Sequence, residues 1–270
     1  MSGAVTIGFI GGGNMAEAIL KGLIGQGHAL QNLVIGEPVA ERRDYLKKQY
    51  QVTVIDNNLS VVEQSDVIVL AIKPQMVDAV VPEFAAAFND SKLLVSILAG
   101  TSTATLEQHL GGSAKVVRVM PNTPALIGRG AAALCAGADA TENDLTMADE
   151  LFSTVGSVVR VTEDQMDAVT AVSGSGPAYI FTVIEAMTEG GVQEGLDRQT
   201  ALQLAIQTVV GSAQLVAETG EAPMDLRAKV CSPGGTTLAA IEKLDEGGFG
   251  ETLVTGVRRA AERSRELGKK

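Results

Sequence analysis

Short apolar runs that alternate with helical segments constrain the fold of this chain more than any other feature. The runs are rich in β-branched residues and span residues 5–10, 33–36, 52–55, 67–72, 93–97 and 115–119. This alternation is typical of βαβ units, whose parallel strands form a sheet with helices on both faces. Strands buried on both sides are almost continuously apolar, as residues 67–72 are. The sequence therefore predicts an α/β fold with an N-terminal Rossmann domain, a doubly wound parallel sheet to which residues 130–136 and 157–160 could add two strands.

The pattern changes after residue 163, where long segments punctuated by glycine replace the short apolar runs. Asp197 is a favourable N-cap for a helix that runs to Glu218 and ends at Gly220. The apolar residues of this helix fall on more than one face, and they include Leu202, Ile206, Val209, Val210, Ala213, Val216 and Ala217. Because such a segment rarely buries several faces alone, we expect an interlocked homodimer, with a higher oligomer of dimers left open. We predict a dinucleotide-binding domain over residues 1–162 and an all-α dimerisation and substrate-binding domain over residues 163–270.

The composition argues against several other classes of protein. The chain of 270 residues has a formal net charge of −11 and no cluster of Lys and Arg, so we expect neither nucleic acid nor a membrane surface as a partner. No long uninterrupted apolar run occurs, so we expect no membrane span. Cys135 and Cys231 lie far apart without neighbouring ligand residues, which disfavours a disulfide framework and a metal site. Since no signal peptide is recognisable, the expected location is the cytoplasm.

A glycine-rich turn follows the first predicted strand. Residues 11–16 read Gly-Gly-Gly-Asn-Met-Ala and fit the pattern G-x-G-x-x-G/A at the start of a predicted helix over residues 14–25. Gly11 permits a tight turn, Gly13 lets the backbone approach a pyrophosphate, and Ala16 keeps the helix close to the strand. The phosphates then meet free N–H groups at the positive end of the helix dipole. The turn therefore predicts a dinucleotide site.

The type of dinucleotide stays open at this point. Glu37 ends the second predicted strand, where an acidic residue accepts hydrogen bonds from the adenosine ribose of NAD, which favours NADH. Arg42 and Arg43 follow, and they could pair with the 2′-phosphate of NADP or lie on a solvated helix face. The predicted cofactor is therefore NADPH or NADH. Two more turns, 71–74 and 98–100, follow strands at the edge where open α/β sheets bind ligands.

Three further motifs, taken with the glycine-rich turn, point to one family. Residues 120–124 read Met-Pro-Asn-Thr-Pro, residues 172–179 read Val-Ser-Gly-Ser-Gly-Pro-Ala-Tyr, and residues 232–237 read Ser-Pro-Gly-Gly-Thr-Thr. Each alone could be only a turn or the start of a helix, with Ser175 as N-cap in the second motif. Together, in this order and over essentially the whole chain, they resemble the pyrroline-5-carboxylate reductases, which catalyse the last step of proline synthesis.

The resemblance implies a Rossmann domain, a helical domain that dimerises by interlocking, and a substrate held between one subunit's cofactor and the helical domains. It implies reduction of L-1-pyrroline-5-carboxylate to L-proline by hydride transfer from NADPH or NADH to the imine carbon. With Glu37, the implied cofactor-binding residues are Ile10, Gly11, Gly12, Gly13, Asn14, Met15, Gly36, Asn58, Ala71, Ile72, Lys73, Pro74, Leu98, Ala99, Gly100 and Asn122. The implied substrate-binding residues are Ser175, Ser232, Pro233, Gly234, Gly235, Thr236 and Thr237. Gly36 departs from the family pattern, because it lacks the hydroxyl that some members place near the 2′-phosphate.

Within this resemblance, Thr237 is the predicted catalytic residue. It matches the hydroxyl that the family places near the ring nitrogen, while backbone N–H groups of its loop would hold the substrate carboxylate. Catalysis then rests mainly on positioning, because the cofactor supplies the hydride chemistry. His28 and His109 adjoin helix-end signals, so we expect them on the surface rather than as proton donors.

Two other functions stay open. A β-hydroxyacid dehydrogenase also joins a Rossmann domain to a helical one, but that family uses a catalytic lysine after the sheet. This chain has no lysine between Lys115 and Lys229. The second alternative is a non-catalytic, dinucleotide-sensing dimer, which oxidation of NAD(P)H on addition of pyrroline-5-carboxylate would exclude.

Overall fold

The structure is a computed structural model that describes residues 5–268. Its sheet contains β1 (Ile7–Ile10), β2 (Leu33–Gly36), β3 (Thr53–Ile55), β4 (Val67–Leu70), β5 (Leu93–Ser96), β6 (Lys115–Met120), β7 (Gly130–Ala136) and β8 (Gly156–Arg160). The strand order is β3-β2-β1-β4-β5-β6-β7-β8. The six predicted strands and both further candidates are present, and the order of the first six is that of a doubly wound Rossmann sheet.

One strand departs from the predicted parallel arrangement. β7 runs antiparallel to β6, with Val117 opposite Ala136 and Met120 opposite Ala133, whereas the other neighbouring pairs of the sheet are parallel. The connection spans only residues 121–129, which is too short for the crossover that a parallel pair requires. The chain therefore reverses through a 3₁₀ turn, Thr123–Ile127, and Gly128, whose φ is 70°.

Helices cover both faces of this sheet and continue after it. They are α1 (Asn14–Gly25), α2 (Ala40–Tyr50), α3 (Asn58–Glu63), α4 (Val77–Val80), α5 (Thr103–His109), α6 (Glu142–Ser153), α7 (Met166–Val169), α8 (Gly176–Gln193), α9 (Arg198–Thr219), α10 (Pro223–Val230), α11 (Thr236–Glu246) and α12 (Phe249–Gly268). Phe9 belongs to one buried apolar cluster and its neighbour Ile10 to another. Because successive strand residues point to opposite faces, these clusters form the cores on the two sides of the sheet.

The described residues form two compact units. The first contains the chain up to Ser175 and the part of α12 from Ala260 onward, and the second contains Gly176–Arg259. The all-helical character predicted for the second half is confirmed. The domain division after residue 162 stays a prediction.

In the second unit, α8 and α9 pack closely through small residues. Ala201 and Ala205 are almost fully buried, and a Cβ at Gly191 would lie only 3.1 Å from the Cβ of Ala201. The predicted caps of α9 are confirmed: Asp197 accepts a hydrogen bond from the N–H of Thr200 at 3.0 Å, and Gly220 has a φ of 65°. The small side chains of these residues thus allow α8 and α9 to pack closely.

The remaining surface of α9 is both apolar and exposed. Leu204 is 55% exposed and Val210 is 51% exposed. Among the described helices, α9 is also long and apolar enough to cross a membrane by length and composition, although polar residues interrupt its apolar sequence. Only 11% of the apolar segment of α9 is buried within this chain. Apolar surfaces of this kind commonly mark interaction sites.

The second motif spans the end of a π-helical turn and the start of α8, and Pro177 lies in the first turn of that helix as predicted. Thr170–Gly174 is π-helical between α7 and α8, and the N–H of Ser175 donates to the carbonyl of Thr170 at 2.8 Å. Ser175 has helical backbone angles, so the interpretation of this residue as an N-cap is wrong. Such turns are rare and often lie at functional sites.

Candidate active site

The turn between β1 and α1 brings three strand ends together. Gly11 has a φ of 99°, and a Cβ there would lie 2.6 Å from the carbonyl oxygen of Ala71, so only glycine fits. Its N–H donates to the carbonyl of Gly36 at 2.8 Å, and the N–H of Ala71 donates to the carbonyl of Ile10 at 2.9 Å. The carboxyl ends of β1, β2 and β4 therefore converge at the glycine-rich turn.

The amino terminus of α1 faces a cavity of about 320 Å³. Gly13 is the N-cap, and as a glycine it offers no side chain to the first N–H groups of the helix. A Cβ on Gly13 would have no atom of residues 5–268 within 4 Å, so a ligand can approach the backbone closely. An open backbone at a helix amino terminus fits the pyrophosphate of a dinucleotide.

Most of the cavity lining comes from the glycine-rich turn and the turn after β4. The lining residues are Gly13, Asn14, Met15, Ala16, Ala71, Ile72, Lys73, Ile97, Met120 and Pro121. Ala16, Ile97, Met120 and Pro121 were not among the predicted cofactor residues. The sequence did indicate three of these residues. Ala16 completes the glycine-rich motif, and Met120 and Pro121 begin Met-Pro-Asn-Thr-Pro.

Glu37 lies beside the glycine-rich turn, buried to 8% exposure. Its Oε2 accepts the N–H of Gly12 at 3.0 Å, and its Oε1 accepts the N–H of Val39 at 2.8 Å. Two such bonds offset the cost of burying a carboxylate. They hold the carboxylate at the end of β2, next to the turn that would carry the pyrophosphate.

Both arginines after β2 are engaged within the protein. Arg42 donates from Nε to the carbonyl of Gly12 at 2.7 Å and from Nη2 to Glu17 at 2.6 Å. Arg43 donates from Nη1 to the carbonyls of Glu37 and Pro38, at 2.9 and 2.7 Å. Neither arginine is simply a solvated residue of the helix face, because each ties α2 to the site.

The structure explains why position 36 is a glycine. A Cβ there would lie 2.7 Å from Oδ1 of Asn58, because the amide of Asn58 occupies the space that a side chain at position 36 would need. The Nδ2 of Asn58 donates to Glu83 at 2.8 Å, which fixes the orientation of the amide. Gly36 and Asn58, predicted from separate parts of the chain, therefore lie together at the end of β2.

Other predicted residues use their side chains for packing. Leu98 is buried in the core, and a Cβ at Gly100 would lie 3.7 Å from the Cβ of Leu267 in α12. Asn122 donates from Nδ2 to the carbonyl of Ser173 at 3.1 Å and accepts the N–H of Ala131 at 2.8 Å. The side chains of Leu98 and Asn122 thus support the strand ends rather than line the cavity.

The loop before α11 is a tight turn that ends in a helix amino terminus. Gly234 has a φ of 68°, and the N–H of Gly235 donates to the carbonyl of Ser232 at 3.0 Å. A Cβ at Gly235 would lie 2.4 Å from Oγ of Ser232, so a side chain there would displace that hydroxyl. Gly235 is the N-cap of α11, and Thr236 and Thr237 form its first turn. This arrangement suits a carboxylate, because the first N–H groups of α11 lack a capping side chain from Gly235.

Neither histidine lies among the lining residues of the cavity. Both residues are partly exposed. His109 is fixed by Asp78 at 2.9 Å and by the carbonyl of Thr105 at 2.8 Å. Within residues 5–268, no three His, Cys, Asp or Glu side chains are grouped as a metal site requires.

A Rossmann sheet, a glycine-rich turn and a cavity at the amino terminus of α1 define the class as a dinucleotide-dependent oxidoreductase. Residues 163–267 match the family described as pyrroline-5-carboxylate reductase dimerisation, and residues 6–100 match NADP oxidoreductase coenzyme F420-dependent. The chain is 47% identical to a pyrroline-5-carboxylate reductase of Synechocystis sp., covering 99% of this chain and 100% of that protein. The chain belongs to the pyrroline-5-carboxylate reductase family.

Solved structures agree with this assignment. A pyrroline-5-carboxylate reductase from Coxiella burnetii has a TM-score of 0.94 at 36% identity and covers 99% of this chain and 100% of its own. The Plasmodium falciparum enzyme, solved with NADP bound, has a TM-score of 0.88 at 31% identity, with 98% of both chains covered. The similarity therefore extends over the sheet and the helical half alike.

Proposed function

We propose that this protein reduces L-1-pyrroline-5-carboxylate to L-proline with NAD(P)H. The observation that carries the proposal is full-length similarity to pyrroline-5-carboxylate reductases in a chain whose glycine-rich turn opens on a cavity. When bound, the nicotinamide supplies the hydride for the imine carbon. The chain itself must bind, align and shield the two reactants.

Cofactor binding is assigned to the predicted residues at the ends of β1, β2 and β4. The amino terminus of α1 would hold the pyrophosphate, since Gly13 leaves the backbone open. Glu37 would face the adenosine ribose, because it is fixed next to Gly12. Met15, Ile72 and Ile97 give the cavity apolar walls that exclude water from a nicotinamide ring.

Substrate binding is assigned to Ser175 and the Ser232–Thr237 loop. The amino terminus of α11 would hold the carboxylate of the imino acid, as anions favour such positions. The Thr237 hydroxyl would donate a hydrogen bond to, or accept one from, the ring nitrogen and so orient the imine. A hydroxyl is a weak acid, so the proton of the reactive iminium would come from solvent.

The direct test is to follow the loss of NAD(P)H absorbance on addition of pyrroline-5-carboxylate, with product analysis for proline. Stoichiometric formation of proline supports the proposal. A protein that binds the dinucleotide but leaves the imino acid unchanged would instead be a sensing dimer, and the proposal would be withdrawn.

We further propose that the protein acts as a cytoplasmic homodimer, and measuring its oligomeric state would also detect a higher oligomer of dimers. The family match over residues 163–267 supports dimerisation, and the exposed apolar residues of α9 are the kind that a subunit interface covers. In a dimer, the partner subunit would cover the apolar side chains of α9, so their exposure in one chain does not require a membrane. Sedimentation velocity over a range of concentrations measures the state directly.

A further inference from the structure

We propose that Glu37 makes this enzyme prefer NADH to NADPH, an inference that rests on the proposed function only for the binding of a nicotinamide dinucleotide. In doubly wound sheets, an acidic residue at the end of the second strand accepts hydrogen bonds from the ribose hydroxyl groups. Glu37 directly follows β2, and its carboxylate lies 3.0 Å from the N–H of Gly12. The negative charge therefore stands where NADPH would place its 2′-phosphate.

The Glu37 carboxylate is also held in place. Each oxygen accepts one backbone N–H, from Gly12 on one side and Val39 on the other. Turning the side chain away from a phosphate would leave two backbone donors without an acceptor and disturb the glycine-rich turn. A 2′-phosphate would thus meet a carboxylate that cannot easily withdraw, and like charges at close range repel each other strongly outside bulk water.

The cations that could offset this repulsion already have partners. Arg42 is held by Glu17 and by the carbonyl of Gly12, and its guanidinium lies over the ring of Tyr45 at 5.0 Å. Arg43 is held by the carbonyls of Glu37 and Pro38 and lies 3.4 Å from Asp56. Each guanidinium keeps further N–H donors, but these contacts hold it in place beside a carboxylate, Glu17 for Arg42 and Asp56 for Arg43, so the two arginines do not form a ready phosphate site.

Position 36 also lacks a side chain that could bind a 2′-phosphate. Gly36 has no hydroxyl, and Asn58 fills the space that a side chain would need. The amide of Asn58 is in turn oriented by Glu83, which adds another carboxylate to this edge of the sheet. The end of β2 therefore presents acceptors suited to ribose hydroxyl groups.

The test compares equilibrium binding with turnover for the two dinucleotides. Dissociation constants for NADH and NADPH are measured by calorimetry at fixed ionic strength, and kcat/KM is measured for each with pyrroline-5-carboxylate. NADH is expected to bind at least about tenfold more tightly than NADPH in the unmodified protein. Equal affinity, or tighter binding of NADPH, overturns the proposal without any variant.

Two matched variants locate the effect. Glu37→Gln removes the charge while keeping the size of the side chain, and it should shift the ratio of the two dissociation constants toward NADPH by at least about tenfold. Glu41→Gln removes the same charge from an exposed residue of α2 and should leave the ratio unchanged. A ratio that moves equally in both variants would assign the preference to net charge rather than to Glu37.

The two proposals fail in different ways. Preferential binding of NADH without reduction of the imino acid contradicts the proposed function but leaves the role of Glu37 intact. Rapid reduction with NADPH, together with tighter NADPH binding, contradicts the role of Glu37 but supports the reductase. If neither dinucleotide binds, both proposals are wrong.

Discussion

The side chain of Asn122 donates from Nδ2 to the carbonyl oxygen of Ser173, 3.1 Å away. Its Oδ1 accepts the N–H of Ala131 at 2.8 Å, so one buried amide joins the end of β6 to β7 and to the π-helical turn. Met120 packs at the same place, because a Cβ at Gly174 would lie 2.7 Å from its Cε. Since Met120 lines the cavity, this contact links the π-helical turn to the cofactor side of the sheet.

Replacing Asn122 by alanine should therefore weaken both stability and catalysis. The change leaves a carbonyl and an N–H without their partner, and we expect a loss of about 2 kcal/mol in the free energy of unfolding. Urea unfolding at fixed protein concentration measures this loss. Asn143→Ala, at an exposed position of α6, is the control and should change stability by less than about 0.5 kcal/mol. Equal effects of the two changes would contradict a special role for Asn122.

Thr237 provides the most direct test of the substrate loop. Thr237→Val keeps the shape of the side chain without its hydroxyl, and we expect kcat to fall ten- to a hundredfold, or about 1.4–3 kcal/mol of transition-state stabilisation. Thr237→Ser keeps the hydroxyl and should lose much less activity. Steady-state kinetics at saturating dinucleotide gives both values. Unchanged turnover in the valine variant would remove Thr237 from the mechanism.

Cys135 should be chemically inert in the folded protein. Burial raises the pKa of this thiol to about 12, with the nearby carboxylate of Glu163 acting in the same direction and Arg118 opposing it. In a Cys231→Ser background, alkylation of Cys135 at pH 8 should be about a thousandfold slower in the native than in the denatured protein, because the thiolate is the nucleophile. Mass spectrometry of iodoacetamide adducts follows the reaction. Rapid native labelling would show that this part of the sheet opens to solvent.

A charge on the exposed face of α9 should disrupt the dimer. Val210→Asp places a carboxylate at a half-exposed apolar position, and we expect the dimer dissociation constant to rise by at least about thirtyfold, as for an interface hot spot. Gln49→Glu adds the same charge to an exposed residue of α2 and is the control. Sedimentation velocity distinguishes monomer from dimer. A dimer that is unaffected by Val210→Asp would have its interface elsewhere.

The strands and the glycine-rich turn that form the site were predicted from the sequence. Buried strands of a Rossmann sheet need continuous apolar runs, so β1 to β6 were visible as such, and Gly11 marked the turn that only glycine can make. Glu37 was placed correctly at the end of β2. The antiparallel β7 was not predicted, although the short connection over residues 121–129 excludes a parallel crossover.

The side-chain contacts could not be predicted in the same way. Arg42 reaches Glu17 across the space between α2 and α1, and no local pattern links residues 25 positions apart. The role of Asn122 as a cofactor residue stays a prediction from its motif, and no sequence pattern indicated that its amide bonds to Ala131 and Ser173. The Ser and Gly residues of the π-helical turn are also common where helices begin, so composition did not reveal that such a turn precedes α8.

Glu17 should make stability depend on pH in a defined direction. Burial by itself would raise the pKa of this carboxyl, but hydrogen bonds from Tyr50, Arg42 and Tyr45 outweigh it and hold the pKa below its ordinary value of 4.5. A carboxyl whose pKa is lower in the folded state stabilises the protein above its unfolded pKa. That contribution is lost as the pH falls below 4.5 and through the lower folded pKa.

The comparison of wild type with Glu17→Gln isolates this contribution from the other titrating groups. Urea unfolding at pH 7 should show wild type as the more stable protein, and the difference should shrink steadily as the pH is lowered below 4.5. Glu41→Gln, at an exposed position in the first turn of α2, should show no such trend. A difference that is constant with pH would mean that Glu17 stabilises the protein through packing rather than through its charge.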